Sequence, residues 1–320
     1  MPTKTKFELK LGMATREAFG KALLELGRQN KNVVVLDGDL SKSTYTNLFA
    51  KEFPGRFFEC GIAEANMIAI GSGLASSGKI PFASSFSCFA MNKGFEQLRV
   101  TAAFPNVNLK VVGTHSGISI GEDGPSQMSI EDLGLACSLP GFIVLSPADE
   151  ISMRALVFAA ARHVGPVFIR AGRPKVPIVH SSEQKFEIGG SVELVDGRDL
   201  TIVATGLLVA EAIRAQEALE AEGISARVID MYSIKPLDRG AIQRAAIETR
   251  ALVVAEEHLV TTGLGVRVSQ VVAETNPCAM EFVGIQDTYA ESGAPEELLE
   301  KYGLLGRDII AASRRVLTRK

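Results

Sequence analysis

The chain has 320 residues, 46% of them hydrophobic and 22% charged, with a formal net charge of −3. That length and apolar content suit two soluble domains rather than one. No Lys/Arg block follows a phosphate backbone and no run approaches the ~18 apolar residues of a membrane span, which excludes nucleic acid and membrane as partners.

The N-terminal stretch MPTKTKFELK carries lysines but no apolar run of signal-peptide length. With four dispersed cysteines (Cys60, Cys88, Cys137 and Cys278), expected as reduced, buried thiols, it leads to the expectation of a cytoplasmic protein. Four histidines without ligand spacing predict no metal site on this chain.

Residues 32–39, NVVVLDGD, predict a buried strand ending in a polar turn. Residues 62–77 have helical spacing and many small side chains, so a close neighbour is expected. Another strand is predicted over 108–115. Strand, helix and strand then follow over 142–147, 148–163 and 165–170. From 171 to 190 the pattern breaks into prolines, polar residues and a Gly pair. Beyond it the alternation resumes, with strands over 200–206, 224–230 and 251–257 and helices between them. The fold class expected is α/β: two domains, each a mainly parallel sheet flanked by helices. The domains expected are 1–175 and 191–320, joined by a linker over 176–190.

In open parallel sheets, ligands bind outside the carboxyl ends of the strands. Asp37, Asp39, Ser84 to Phe86 and His115 to Gln127 fall there, whereas the second domain offers Glu256, Glu257 and His258 without a dense polar cluster. Glu64 opens an apolar helix. It is either a first-turn carboxylate favoured by the helix dipole or one held in an apolar pocket, where desolvation raises its proton affinity. Residues 113–128, GTHSGISIGEDGPSQM, contain four glycines. That is either a solvated surface loop or backbone that approaches a ligand, with His115 able to exchange protons near neutrality. Phe86 and Phe89 form either core or a wall for a flat ring. Arg16 and Arg170 are isolated cations, and each is an internal salt bridge or a phosphate clamp.

Together these segments resemble the transketolase family, in order and over nearly the whole chain. THSGISIGEDGPSQ is the most specific, followed by FFECGIAEANM with PFASSFSCF, and then LTIVATG, DMYSIKPLD and AEEHLVTTGLG. The resemblance implies the family's pyrimidine-binding domain followed by its C-terminal domain, and thiamine diphosphate as cofactor. It implies that Glu64 hydrogen-bonds N1′ of the aminopyrimidine, with Phe86 and Phe89 around that ring. It makes Glu64 and His115 catalytic, His115 lying near the donor carbonyl. Asp123 would read a sugar hydroxyl, Arg16, Ser43 and Arg170 the phosphate, and Asp39 would line the same channel. Gln127 stands where many members have a second histidine, and it cannot donate a proton with a pKa near 7. Asn92 replaces the third family aromatic.

The family holds the diphosphate through Mg²⁺ or Ca²⁺ with a GDG motif and a later Asn, and no GDG occurs here. A diphosphate needs a cation and backbone donors. An N-terminal transketolase subunit carrying the GDG…N site is therefore expected as partner, in an assembly with two copies of each chain. The activity implied is transfer of a two-carbon ketol unit from a ketose phosphate to an aldose phosphate. The alternatives are the E1 β subunit of a 2-oxo acid dehydrogenase, a deoxyxylulose-phosphate synthase-like enzyme, or a non-catalytic scaffold of the same fold.

Overall fold

The computed structural model describes residues 8–320, so most of the lysine-bearing N-terminal stretch lies outside the described residues. In the first half of the chain the strands are β1 (Leu11–Ala14), β2 (Val33–Asp37), β3 (Phe57–Glu59), β4 (Ile80–Phe86), β5 (Lys110–Thr114), β6 (Ile143–Leu145), β7 (Val167–Arg170) and β8 (Lys175–Pro177). In the second half they are β9 (Val192–Val195), β10 (Leu200–Ala204), β11 (Ala226–Asp230), β12 (Ser233–Lys235), β13 (Ala251–Leu259) and β14 (Ala279–Ile285).

Seven strands form one sheet in the order β12-β6-β7-β5-β4-β2-β3, parallel except for β12. Five form the second, β14-β13-β10-β11-β9, parallel except for β9. The inner strands β2, β5 and β10 are buried at every position, the pattern of a sheet covered on both faces. In the first sheet the chain runs from β2 outward to β3, then back across to β4, so the order reverses between β2 and β4. A crevice opens at the carboxyl ends of strands on either side of such a reversal.

Helix Thr15–Gln29 buries Ala18, Phe19, Ala22, Leu23 and Leu26, the three-and-four spacing of one helical face. Helix Glu150–Arg162 starts at Asp149, whose carboxylate accepts from the Ser152 amide while the Ser152 hydroxyl accepts from the Asp149 amide. The predicted helix over 62–77 forms as Glu64–Ser76.

The two halves are not independent bodies. β12, from the second half, pairs antiparallel with β6 of the first sheet. One apolar cluster runs from Leu36, Val111 and Phe168 through to Val203 and Leu252. Residues 176–190, read from sequence as a linker, bury Val176, Val179, His180 and Phe186. The thiols are free, but only Cys88 is fully buried; Cys60, Cys137 and Cys278 are half-buried, unlike the expectation of buried thiols throughout.

Candidate active site

The carboxyl ends of β2, β4, β5 and β7 bring most of the sequence-selected residues to one edge. Glu64 opens its helix with only 3% of its surface exposed. The Ser85 hydroxyl donates to its Oε1 at 3.3 Å, and Lys93 Nζ lies 3.6 Å from its Oε2. The carboxylate is therefore enclosed, and its side-chain partners among the described residues are the Ser85 hydroxyl and the half-exposed Lys93 ammonium.

Phe86 ends β4, and Phe89 begins a turn, Phe89–Lys93, wound as π-helix, a form frequent at functional sites. Their rings lie nearly parallel, 14° apart with centroids at 5.6 Å. Phe86 also stacks on the His115 imidazole, with centroids 3.8 Å apart. Phe89, Phe86 and His115 are thus contiguous rings, Phe86 and His115 buried and Phe89 half-buried. Asn92, at the third aromatic position, donates to Glu131 at 2.9 Å.

His115 follows β5 with a backbone φ of 58°, unusual for a residue with a side chain and common where a site stores strain. Arg16 Nη1 lies 3.2 Å from its Nε2, and the Thr114 hydroxyl 2.9 Å from its Nδ1. A guanidinium can only donate, so Nε2 is the bare nitrogen and Nδ1 carries the proton. Burial first, then Arg16 and Arg173, hold the imidazole's pKa down to about 3. His115 is neutral at physiological pH.

Arg16 is half-buried and donates to the carbonyl oxygens of Ser43 at 2.9 Å and Arg173 at 3.4 Å. Its contacts are two carbonyls, an imidazole and the Tyr45 ring, and no carboxylate stands within ion-pair distance among the described residues. Burial lowers its pKa, the signature of a cation short of compensation. Asp39, at φ 65°, is exposed beside this group, its amide donating to Glu59 at 2.7 Å. Asp37, one turn back, is buried and accepts from Thr44 and Thr46; burial raises it to about 6.

Asp123 and Gln127 stand on the loop after β5, Asp123 exposed and Gln127 half-buried. That loop is no loose surface segment: Ile118, Ser119 and Ile120 in its middle are fully buried.

Arg170 departs from the expected phosphate contact. Its guanidinium is buried and spent inside the protein, donating to Asp132 at 2.9 Å, the Ser129 carbonyl at 3.1 Å and the Glu257 carbonyl at 2.9 Å. Arg173, which sequence reasoning passed over, is the second guanidinium at the site. It bonds the Ile120 carbonyl, pairs with Glu122 at 3.0 Å and acts on both His115 and Arg16. The signal was available: Arg173 lies beyond the strand end, in the loop where ligands bind, whereas Arg170 is still inside β7. No cluster of three or more His, Cys, Asp or Glu side chains able to hold an ion occurs among the described residues.

Fold and candidate site together define an α/β protein of two parallel-sheet halves whose sequence-selected polar residues gather at the carboxyl edge of the first sheet. Residues 12–179 match the transketolase pyrimidine-binding domain, and residues 189–309 the transketolase C-terminal domain. The chain belongs to the transketolase family. It is 44% identical over 298 residues to a putative transketolase C-terminal section of Methanocaldococcus jannaschii, covering 92% of this chain and 93% of that one. It is 37% identical to a 6-deoxy-6-sulfo-D-fructose transketolase subunit of a Clostridium species, over 98% of both chains. Human transketolase is 37% identical across the whole of this chain, which spans only 51% of that protein. Among solved structures, a split-gene transketolase in an inactive β4 tetramer superposes with a TM-score of 0.91 at 50% identity, covering 97% of this chain and 100% of that one. The two rival enzymes weighed on sequence are not favoured by these matches. No helix among the described residues is long and apolar enough to cross a membrane.

Proposed function

We propose that this chain is the C-terminal subunit of a two-chain, thiamine-diphosphate-dependent transketolase that moves a two-carbon ketol unit from a ketose phosphate to an aldose phosphate. The observation that carries the reading is contiguity: Phe86 stacks with both His115 and Phe89, and Ser85, its neighbour in β4, donates to enclosed Glu64. A flat ring held on that wall would lie beside the histidine and within reach of the carboxylate.

The residues present fit the pyrimidine end of the cofactor. Glu64 would hold the proton at N1′, and Phe86 and Phe89 would cover the ring face. When bound, the cofactor supplies the electron sink for carbon–carbon bond cleavage. They do not fit its diphosphate end, because no group of His, Cys, Asp or Glu side chains among the described residues is arranged to hold the cation that a diphosphate needs. We assign that half, with its Mg²⁺ or Ca²⁺, to an N-terminal subunit carrying the GDG…N site, in an assembly with two copies of each chain.

Substrate recognition is proposed for the cationic corner. Arg16 has no carboxylate partner among the described residues, so a phosphate dianion would compensate it and compete with Glu122 for Arg173. Asp39 would line the approach, Ser43 would join the phosphate contact, Asp123 and Gln127 would meet sugar hydroxyls, and the unprotonated Nε2 of His115 would accept a hydrogen bond from a sugar hydroxyl in exchange for the one from Arg16. Arg170 is left out of this set. We place the enzyme in the cytoplasm, with pentose phosphates as first candidates. A similar subunit is named for a modified sugar, so 6-deoxy-6-sulfo-fructose belongs in the screen.

The test is ketol transfer by the chain co-produced with a GDG…N subunit. Wild type should turn over at least one phosphorylated ketose. Glu64→Gln, which keeps shape but cannot share the proton, should lose ~10²-fold or more in rate. Equal rates would return Glu64 to the dipole reading.

A further inference from the structure

Read from sequence, the second domain's strand ends held only Glu256, Glu257 and His258 and no dense polar cluster. In the structure the cluster forms across the domain boundary. Asp132 and Arg170 come from the first half, and Glu256, Glu257 and His258 from the end of β13; all five are buried. Arg170 pairs with Asp132 at 2.9 Å, and His258 lies 3.6 Å from Asp132. Glu256 accepts from the amides of Leu264 and Gly265, each at 2.7 Å, which caps the next helix. The Glu257 side chain does something different, because it faces the loop after β5.

The Ser119 amide donates to Glu257 Oε1 at 2.6 Å. At Gly117 a Cβ would stand 2.1–2.4 Å from the Glu257 carboxyl atoms, so the loop backbone rests directly on the carboxyl group. Gly117 has φ +80°, which glycine alone adopts without strain. The loop closes where the Gly117 amide donates to the Ser129 carbonyl at 2.7 Å. That carbonyl also receives Arg170, whose same nitrogen holds the Glu257 carbonyl at 2.9 Å. The stem of the loop is therefore gripped from the second domain at two points: Ser119 by the Glu257 carboxyl, and Ser129 through Arg170 by the Glu257 main chain. His115 precedes this stem by two residues and Asp123 follows Ser119 by four.

We infer that Glu257 is a positioning residue of the C-terminal domain, which fixes the loop bearing His115 and Asp123 in the conformation that meets the substrate. It touches neither substrate nor cofactor and acts through the Ser119 and Gly117 backbone. This gives the second domain a part in the site, and it rests on the proposal that the loop carries substrate contacts. Burial raises Glu257 to about 7, and Arg170 with the Ser119 amide opposes that rise, so the group's charge is sensitive to its loop contact.

Two measurements test it. In amide hydrogen exchange of the full chain by itself, Glu257→Ala should speed exchange over 117–121 by about tenfold or more, with β5 and β10 unchanged. Glu257→Gln keeps an oxygen acceptor for the Ser119 amide and should restore most of the protection. In the two-chain complex, Glu257→Ala should cut kcat/KM for a phosphorylated ketose by about tenfold or more while the affinity for thiamine diphosphate stays put, and Glu257→Gln should recover it. Where the alanine variant does not fold, Glu257→Met fills the same volume without an acceptor and gives the same comparison. Unchanged exchange over 117–121, or a glutamine variant as impaired as alanine, overturns the inference. A wild-type complex without ketol transfer defeats the functional reading instead and leaves the exchange result standing.

Discussion

Arg170 and Arg173 are three residues apart, yet β7 carries the first into the domain boundary while the second reaches the loop beside His115. Their variants should separate cleanly. Arg173→Ala removes one charge-assisted contact, so it should raise KM for phosphorylated sugars ~30-fold, about 2 kcal/mol, with kcat little changed. Arg170→Ala strands the buried Asp132 carboxylate and should cost about 3–5 kcal/mol of stability. Steady-state kinetics and thermal melts on both variants check this; a KM effect confined to Arg170→Ala would reverse the assignment. At this scale the sequence located positions better than chemistry: Glu64 opens its apolar helix and His115 follows a buried strand as expected, but burial and two guanidinium groups hold His115 far below the near-neutral titration its residue type suggests. Arg170 was misread because an isolated cation gives no clue to its partner: Asp132 lies 38 residues away in sequence and shows no local signal.

Between strands and helices, the alternation of apolar runs predicted β2, β5, β10, β11 and β13 and the helices among them within a few residues. The terminal helix Gly306–Leu317 and strand β14 went unassigned, and the antiparallel pairings of β12 and β9 could not be seen, because sheet partners are chosen by tertiary contact rather than by local pattern. The segment 176–190 looked like a connector for its prolines and polar residues, yet it buries His180 between Asp149 and Asp230, 3.1 and 3.2 Å away, under the edge of Phe186. Burial works against the imidazolium, and the two carboxylates outweigh it, raising His180 to about 9. Asp149 is held at about 2 and stays ionised above that pH, whereas burial pushes Asp230 up. A raised histidine stabilises fully below its free pKa of ~6.5 and loses that contribution as pH rises through its folded value. Unfolding free energy should therefore fall by roughly 1.4 kcal/mol per pH unit between about 7 and 9. In His180→Gln that slope should flatten, and stability at pH 7 should drop by roughly 3–5 kcal/mol as the carboxylates lose their counter-charge. Denaturant titrations at several pH values decide it; parallel profiles for wild type and variant would show that the cluster does not govern this window.

Across the whole molecule, the proposed site is half of one, its other half assigned to the N-terminal subunit. The stacked Phe86 and Phe89 rings, the enclosed Glu64 carboxylate and the guanidinium of Arg16 lie towards one sheet edge, and Glu257 of the second domain holds the loop after β5. The proposed division was legible in the sequence as an absent GDG motif, since a bound diphosphate needs a cation and backbone donors and the family supplies them through that motif. Calorimetric titration of thiamine diphosphate with Mg²⁺ into the isolated chain and into the complex with its N-terminal subunit tests this directly. The prediction is micromolar or tighter binding by the complex, and binding weaker by about a thousandfold or more, some 4 kcal/mol, for the chain alone. Micromolar binding by the isolated chain would contradict it.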